Sequence, residues 1–135
     1  MTIADPSALV PAVEVHGLVK HYGDVEAVRG VDLDVQAGEV FGLLGPNGAG
    51  KTTILEILSG LRPRSGGVVE VLAMDPEREG RRICDRIGVC LQATNLPDKI
   101  TVREALHLFA SFYSQNGDGN ALLKRLQLWE KKDSA

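Results

Sequence analysis

The chain has 135 residues, 44% of them hydrophobic and 24% charged, with a formal net charge of −3. That length holds one domain at most, with enough apolar material for one core. The slightly acidic balance offers no basic footprint for nucleic acid, and no apolar run approaches the roughly 20 residues that span a bilayer.

In chain order, Met1 to Ala12 has no basic n-region and carries Asp5, so it reads as a short flexible leader rather than a signal peptide, and the chain as cytosolic. Val13 to Val19, with Val13 and Val15 alternating, predicts a strand. Val31, Leu33 and Val35 alternate with Asp32, Asp34 and Gln36, which predicts a half-exposed strand in an antiparallel sheet. A turn at Ala37 to Glu39 leads into the apolar run Val40 to Leu44, read as a buried strand. After a glycine-rich loop, Ile54, Ile57, Leu58 and Leu61 fall at helical spacing; Gly60 suits the C′ position and Pro63 forbids continuation. Ser65 to Gly67 reads as a turn and Val68 to Leu72 as a strand. Pro76 to Arg86 reads as a charged helix with a solvated face of i,i+4 pairs.

Ile87 to Leu91 predicts a second buried strand, ending at Gln92, with Cys90 as a small core residue. Cys84 and Cys90 are the only cysteines, and their spacing fits no zinc or redox motif. Thr101 and Glu104 form a capping box opening a helix whose face is Val102, Ala105, Leu106, Phe109 and Tyr113. Asn116 to Gly119 breaks it, and Leu122, Leu123, Leu126 and Trp129 line a final helix. The aromatic residues Phe109, Phe112, Tyr113 and Trp129 are read mainly as core.

The chemistry concentrates in Gly45, Pro46, Asn47, Gly48, Ala49, Gly50, Lys51, Thr52 and Thr53, which fit the phosphate-cradling pattern G-x-x-x-x-G-K-[ST]. Glycines let the backbone approach phosphates without a Cβ in the way. Successive N–H groups then make an anion-binding nest, and the helix beginning near Lys51 adds its positive dipole end. Lys51 would reach the β- and γ-phosphates, and the Thr52 hydroxyl would ligate Mg²⁺. The flanking strand and helix argue against a chance match in a chain with 15 glycines.

With the loop placed, the chain resembles the nucleotide-binding domain of ATP-binding cassette (ABC) transporters from about Val13 onward. Tyr22 and Gly23, the run Ala27 to Val31, Gly38 and Glu39 are similar to the family's A-loop and antiparallel subdomain. Gly45 to Thr53 is similar to its Walker A variant. Gln92, Leu96, Pro97, Thr101, Val102 and Glu104 are similar to its Q-loop region, and this last stretch looks most like the drug- and polysaccharide-export branch. The resemblance implies an α/β fold: a P-loop NTPase core with an N-terminal antiparallel β subdomain over residues 13–92, and the start of a helical subdomain over residues 93–135.

It further implies ATP and Mg²⁺ as cofactors, Tyr22 stacking on adenine, and Gln92 touching Mg²⁺ or the attacking water. The partners implied are a transmembrane permease and a second nucleotide-binding domain, with the chain held on the cytoplasmic face of the membrane. The family's signature, similar to Leu-Ser-Gly-Gly-Gln, and its Walker B carboxylates have no counterpart: Leu58 to Gly60 and Ser65 to Gly67 fall in the wrong place, and Ile87 to Leu91 ends in Gln92. The expectation is therefore the first part of such a domain, with gaps in its sheet, able to hold nucleotide but without turnover by itself. An alternative is a remnant that binds ATP weakly or not at all. A GTPase or small-molecule kinase is disfavoured by Tyr22, by the strands ahead of the loop, and by the lack of a guanine-reading Asn-Lys-x-Asp pattern.

Overall fold

Three antiparallel strands carry the first part of the chain. In the computed structural model, which describes residues 11–90, 99–115 and 117–134, β1 (Val13–Tyr22) is flanked by β2 (Val25–Val35) and β3 (Gly66–Val71) in the order β2-β1-β3. Gly23, in the left-handed region at φ 57°, turns β1 into β2. The predicted alternation holds in β2, where Val31, Leu33 and Val35 are half-buried and Asp32 and Asp34 exposed. In β1 the buried residues are Val15 and Leu18. That odd spacing arises from a register shift at His16 and Gly17, a bulge that moves inward-facing side chains by one position. The Asp32 carboxylate fixes it by accepting from the Gly17 N–H at 2.7 Å.

Below the sheet, Ile54 and Ile57 of α1 (Lys51–Leu58) and Ile83 of α2 (Pro76–Cys84) join Val15, Leu18, Val28, Val69, Val71 and Met74 in one core. The end of α1 is as expected. Gly60, at φ 70°, lets its own N–H reach Ile57 O at 3.0 Å and the Leu61 N–H reach Glu56 O at 2.9 Å, satisfying two carbonyls of the last turn. β3 stops one residue before the expected Leu72, because Leu72 and Ala73 form a tight turn, both with positive φ, closed by Val71–Met74 bonds of 2.8 and 3.0 Å.

α2 ends at Cys84 rather than Arg86, and the ion pairs Arg78–Asp75 and Arg82–Glu79 fall at i,i+3 rather than at the expected i,i+4. Glu79 departs from helical geometry at φ −121°, which breaks the four-residue register. The helix is anchored at its start: Asp75 caps it, accepting from the Glu77 N–H at 2.9 Å, while the Arg64 fork meets both Asp75 oxygens at 2.9 and 2.8 Å.

Two expected strands do not form. Val40 and Leu44 are 99% and 93% exposed, and residues 40–44 take no strand geometry. Residues 87–90 likewise stay outside any strand, leaving Val89 and Cys90 exposed, so Cys90 is not a core residue. A strand exists only by exchanging backbone hydrogen bonds with a neighbour, and among the described residues no strand lies alongside either run.

The chain divides at Ile87, and residues from Gly88 form a second unit. Here the capping box is present: Thr101 Oγ1 accepts from the Glu104 N–H, and the Glu104 carboxylate accepts from the Thr101 N–H at 2.9 Å. It opens α3 (Val102–Ala110), and Asp118 caps α4 (Gly119–Arg125). Ala105 and Leu123 are the buried residues of these helices. The aromatic residues are not the core that the sequence suggests. α3 ends at Ala110, so Tyr113 leaves its apolar stripe; Phe109, Phe112 and Tyr113 are exposed. Trp129 lies in a short 3₁₀ turn, half-buried, with the Lys124 and Lys132 ammonium groups 5.1 and 4.9 Å from its ring centroid.

Candidate phosphate-binding loop

Gly45 to Gly50 connects residues 40–44 to α1, whose first turn holds Lys51, Thr52 and Thr53. A turn closed by Ala49 N–H to Pro46 O at 3.2 Å reverses the chain, with Gly48 at φ 82°. Gly50 then opens α1 from the left-handed region at φ 80°, and no side chain caps the helix. A Cβ on Gly50 would stand 2.4 Å from Ala27 O and 3.2 Å from Val28 Cγ2. The loop therefore rests on the backbone of β2, and only glycine permits that approach.

Lys51 folds back across the loop, its Nζ donating to Gly45 O at 2.7 Å and Pro46 O at 2.6 Å. The ammonium is thus held over the turn by two exchangeable carbonyl contacts. Gly45 to Ala49 and Thr52 are exposed, and Thr53 is half-buried. An uncapped helix start, a lysine arched over a glycine-rich turn and an exposed Thr52 hydroxyl make a donor set that fits a polyphosphate with its cation. Beside the loop, a cavity of about 320 Å³ opens against β2, lined by Glu26, Ala27, Val28, Arg29, Gly48 and Ala49 among others. Arg29 falls in the run Ala27 to Val31 that the resemblance singles out, whereas nothing in the local pattern of Glu26 marks it as a cavity wall.

Tyr22 is the last residue of β1, exposed and opposite Val25. The loop crosses β2 at Ala27, two residues further on, which places Tyr22 roughly 7 Å along the strand direction from that crossing. Its ring is approached by Lys20 Nζ at 5.2 Å and by Arg62 Cζ at 5.3 Å from the centroid. Arg62 is ion-paired with Glu56 of α1. The Glu56 hydrogen bond, with a smaller contribution from Tyr22, holds the Arg62 guanidinium above its ordinary pKa. Sequence inspection gives no signal for this contact, because Arg62 lies far from Tyr22 along the chain. Gln92 lies outside the described residues, as do Leu96 and Pro97.

The family model for ABC transporters matches residues 28–135. The chain belongs to the ABC transporter family. Among curated members, it is 36% identical over 126 residues to the Nod factor export ATP-binding protein I of Burkholderia lata, covering 93% of this chain and 41% of that protein. It is 39% identical over 122 residues to the daunorubicin resistance ATP-binding protein DrrA2 of Streptomyces coeruleorubidus, covering 90% of this chain and 38% of that one.

A solved ATP-binding subunit of an ABC transporter superposes with a TM-score of 0.78 at 23% identity, over 91% of this chain and 53% of its own. An ABC transporter ATP-binding protein from Pyrococcus furiosus gives 0.69 at 23% identity, over 87% of this chain and 62% of its own. Together with the family match, these likenesses give the fold as the α/β P-loop domain of ABC transporters, of which the chain spans part. No helix among the described residues is long and apolar enough to cross a membrane.

Proposed function

We propose that this chain is the ATP-binding portion of an ABC exporter, holding MgATP on the loop Gly45 to Thr53. The observation that carries this reading is Lys51 arched over the Gly45 and Pro46 carbonyls at the uncapped start of α1. In the proposed complex, the loop N–H groups and Lys51 bind the phosphates, and Thr52 and Gln92 hold Mg²⁺. Bound Mg²⁺ supplies charge neutralisation on the transferred phosphoryl group. Tyr22 supplies a stacking face for adenine, an interaction of about 1–3 kcal/mol by analogy with base stacking in nucleic-acid sites.

In the complete protein, hydrolysis is coupled to transport, and a second nucleotide-binding domain closes the site. Residues 13–92 serve as the nucleotide-binding core, and residues 93–135 belong to the helical subdomain that docks on a transmembrane permease. The permease holds the protein on the cytoplasmic face of the membrane. Export is favoured because relatives at 36% and 39% identity are named for Nod factor export and daunorubicin resistance.

No apolar run in these 135 residues ends in adjacent Asp and Glu to act as a Walker B pair, so on this reading the chain by itself binds without turnover. The test is phosphate release from ATP by the purified chain, beside a saturable ATP titration. Binding with no release above background is expected. Steady release abolished by Lys51→Ala would overturn the claim of no turnover, and absence of saturable binding would overturn the functional reading itself.

A further inference from the structure

The Tyr22 ring is shared by two cations held in different ways. Lys20 precedes it by two positions on β1, so both side chains project to the same side of the strand and the ammonium is a local neighbour. Its strongly hydrated head on a flexible stem is easily displaced. Arg62 arrives from the segment after α1, and its guanidinium is tethered through Nε to the Glu56 carboxylate. A planar, weakly hydrated guanidinium keeps its place on an aromatic ring better than an ammonium does. Glu56 belongs to the helix that begins at Lys51, so Glu56, Arg62 and Tyr22 form a line from the phosphate-binding helix to the exposed ring.

We propose that Arg62 is a positioning residue for the nucleotide base: tethered by Glu56, it fixes the tilt of the Tyr22 ring and stays against it when the base stacks, while Lys20 gives way. This rests on the reading of Tyr22 as the base platform.

The experiment titrates the full chain with MgATP and, separately, with Mg²⁺-tripolyphosphate, which engages the loop but has no base. The ratio of the two affinities isolates the contribution of the base. Arg62→Gln and Glu56→Gln are each expected to lower ATP affinity by about 3–10-fold and to leave tripolyphosphate within about twofold. Arg62→Lys should fall between Arg62→Gln and wild type, and Lys20→Gln should leave the ratio unchanged. An unchanged ratio in Arg62→Gln overturns the proposal. So does equal loss of both ligands, which would mean that Arg62 merely supports the fold, and so does a loss confined to Lys20→Gln. The underlying reading fails separately: in Tyr22→Ala with a wild-type ratio the ring is no platform, and a wild-type chain that takes neither ligand removes the site altogether.

Discussion

A methyl group on Gly50 would stand 2.4 Å from the carbonyl oxygen of Ala27. The end of the glycine-rich loop is thus pressed onto the second strand, and the residue that permits this also opens α1 with φ 80°. Gly50→Ala combines a left-handed penalty of about 1–2 kcal/mol with a steric overlap costing about 1–3 kcal/mol. A loss of about 3 kcal/mol in urea unfolding followed by far-UV circular dichroism is expected, together with loss of ATP binding. Wild-type stability in this variant would show that the loop does not rest on Ala27.

Ala73 offers the opposite case. It sits at φ 58° in the turn after β3, beside Leu72 at φ 53°. Relief of left-handed strain by glycine is worth about 1–2 kcal/mol, and the greater freedom of glycine in the unfolded chain takes back about 0.5–1 kcal/mol. Ala73→Gly should therefore stabilise the chain by about 0.5–1 kcal/mol, raising its unfolding midpoint in urea. A lowered midpoint would contradict the turn geometry.

These two sites show what the sequence does and does not disclose. The turn from Pro46 to Ala49, the end of α1 at Gly60 and the Thr101–Glu104 box are local patterns whose hydrogen bonds close within a few residues, and the structure contains each one. The strands expected at Val40 to Leu44 and Ile87 to Leu91 depend instead on neighbours distant in sequence. An apolar run reports that burial is available, not that a partner strand is present. The contacts of Gly50 with Ala27 and of Arg62 with Tyr22 are equally non-local, so glycine and arginine counts give no hint of them.

The Arg64–Asp75 fork makes stability depend on acid pH. Arg64 holds the Asp75 carboxyl down to about 2 from its usual 3.8. A depressed carboxylate stabilises the fold fully above its unfolded pKa and loses that contribution as pH falls through the folded value, so the window runs from about pH 4 down to about pH 2. The shift corresponds to about 2 kcal/mol. Asn can still cap α2, so Asp75→Asn isolates the charge. Its deficit against wild type should be about 2 kcal/mol at pH 7 and should vanish near pH 2. A deficit independent of pH across that window would assign the effect to capping and packing.

The central claim is that Lys51 and its loop hold the phosphates of ATP. Its most direct measurement is an equilibrium titration of the chain and of Lys51→Ala with ATP in the presence of Mg²⁺, by calorimetry, with circular dichroism confirming that both are folded. Losing a charge-assisted contact of about 1.5–3 kcal/mol predicts at least about a tenfold weaker affinity in the variant. Equal ATP affinity in the two folded proteins would contradict it.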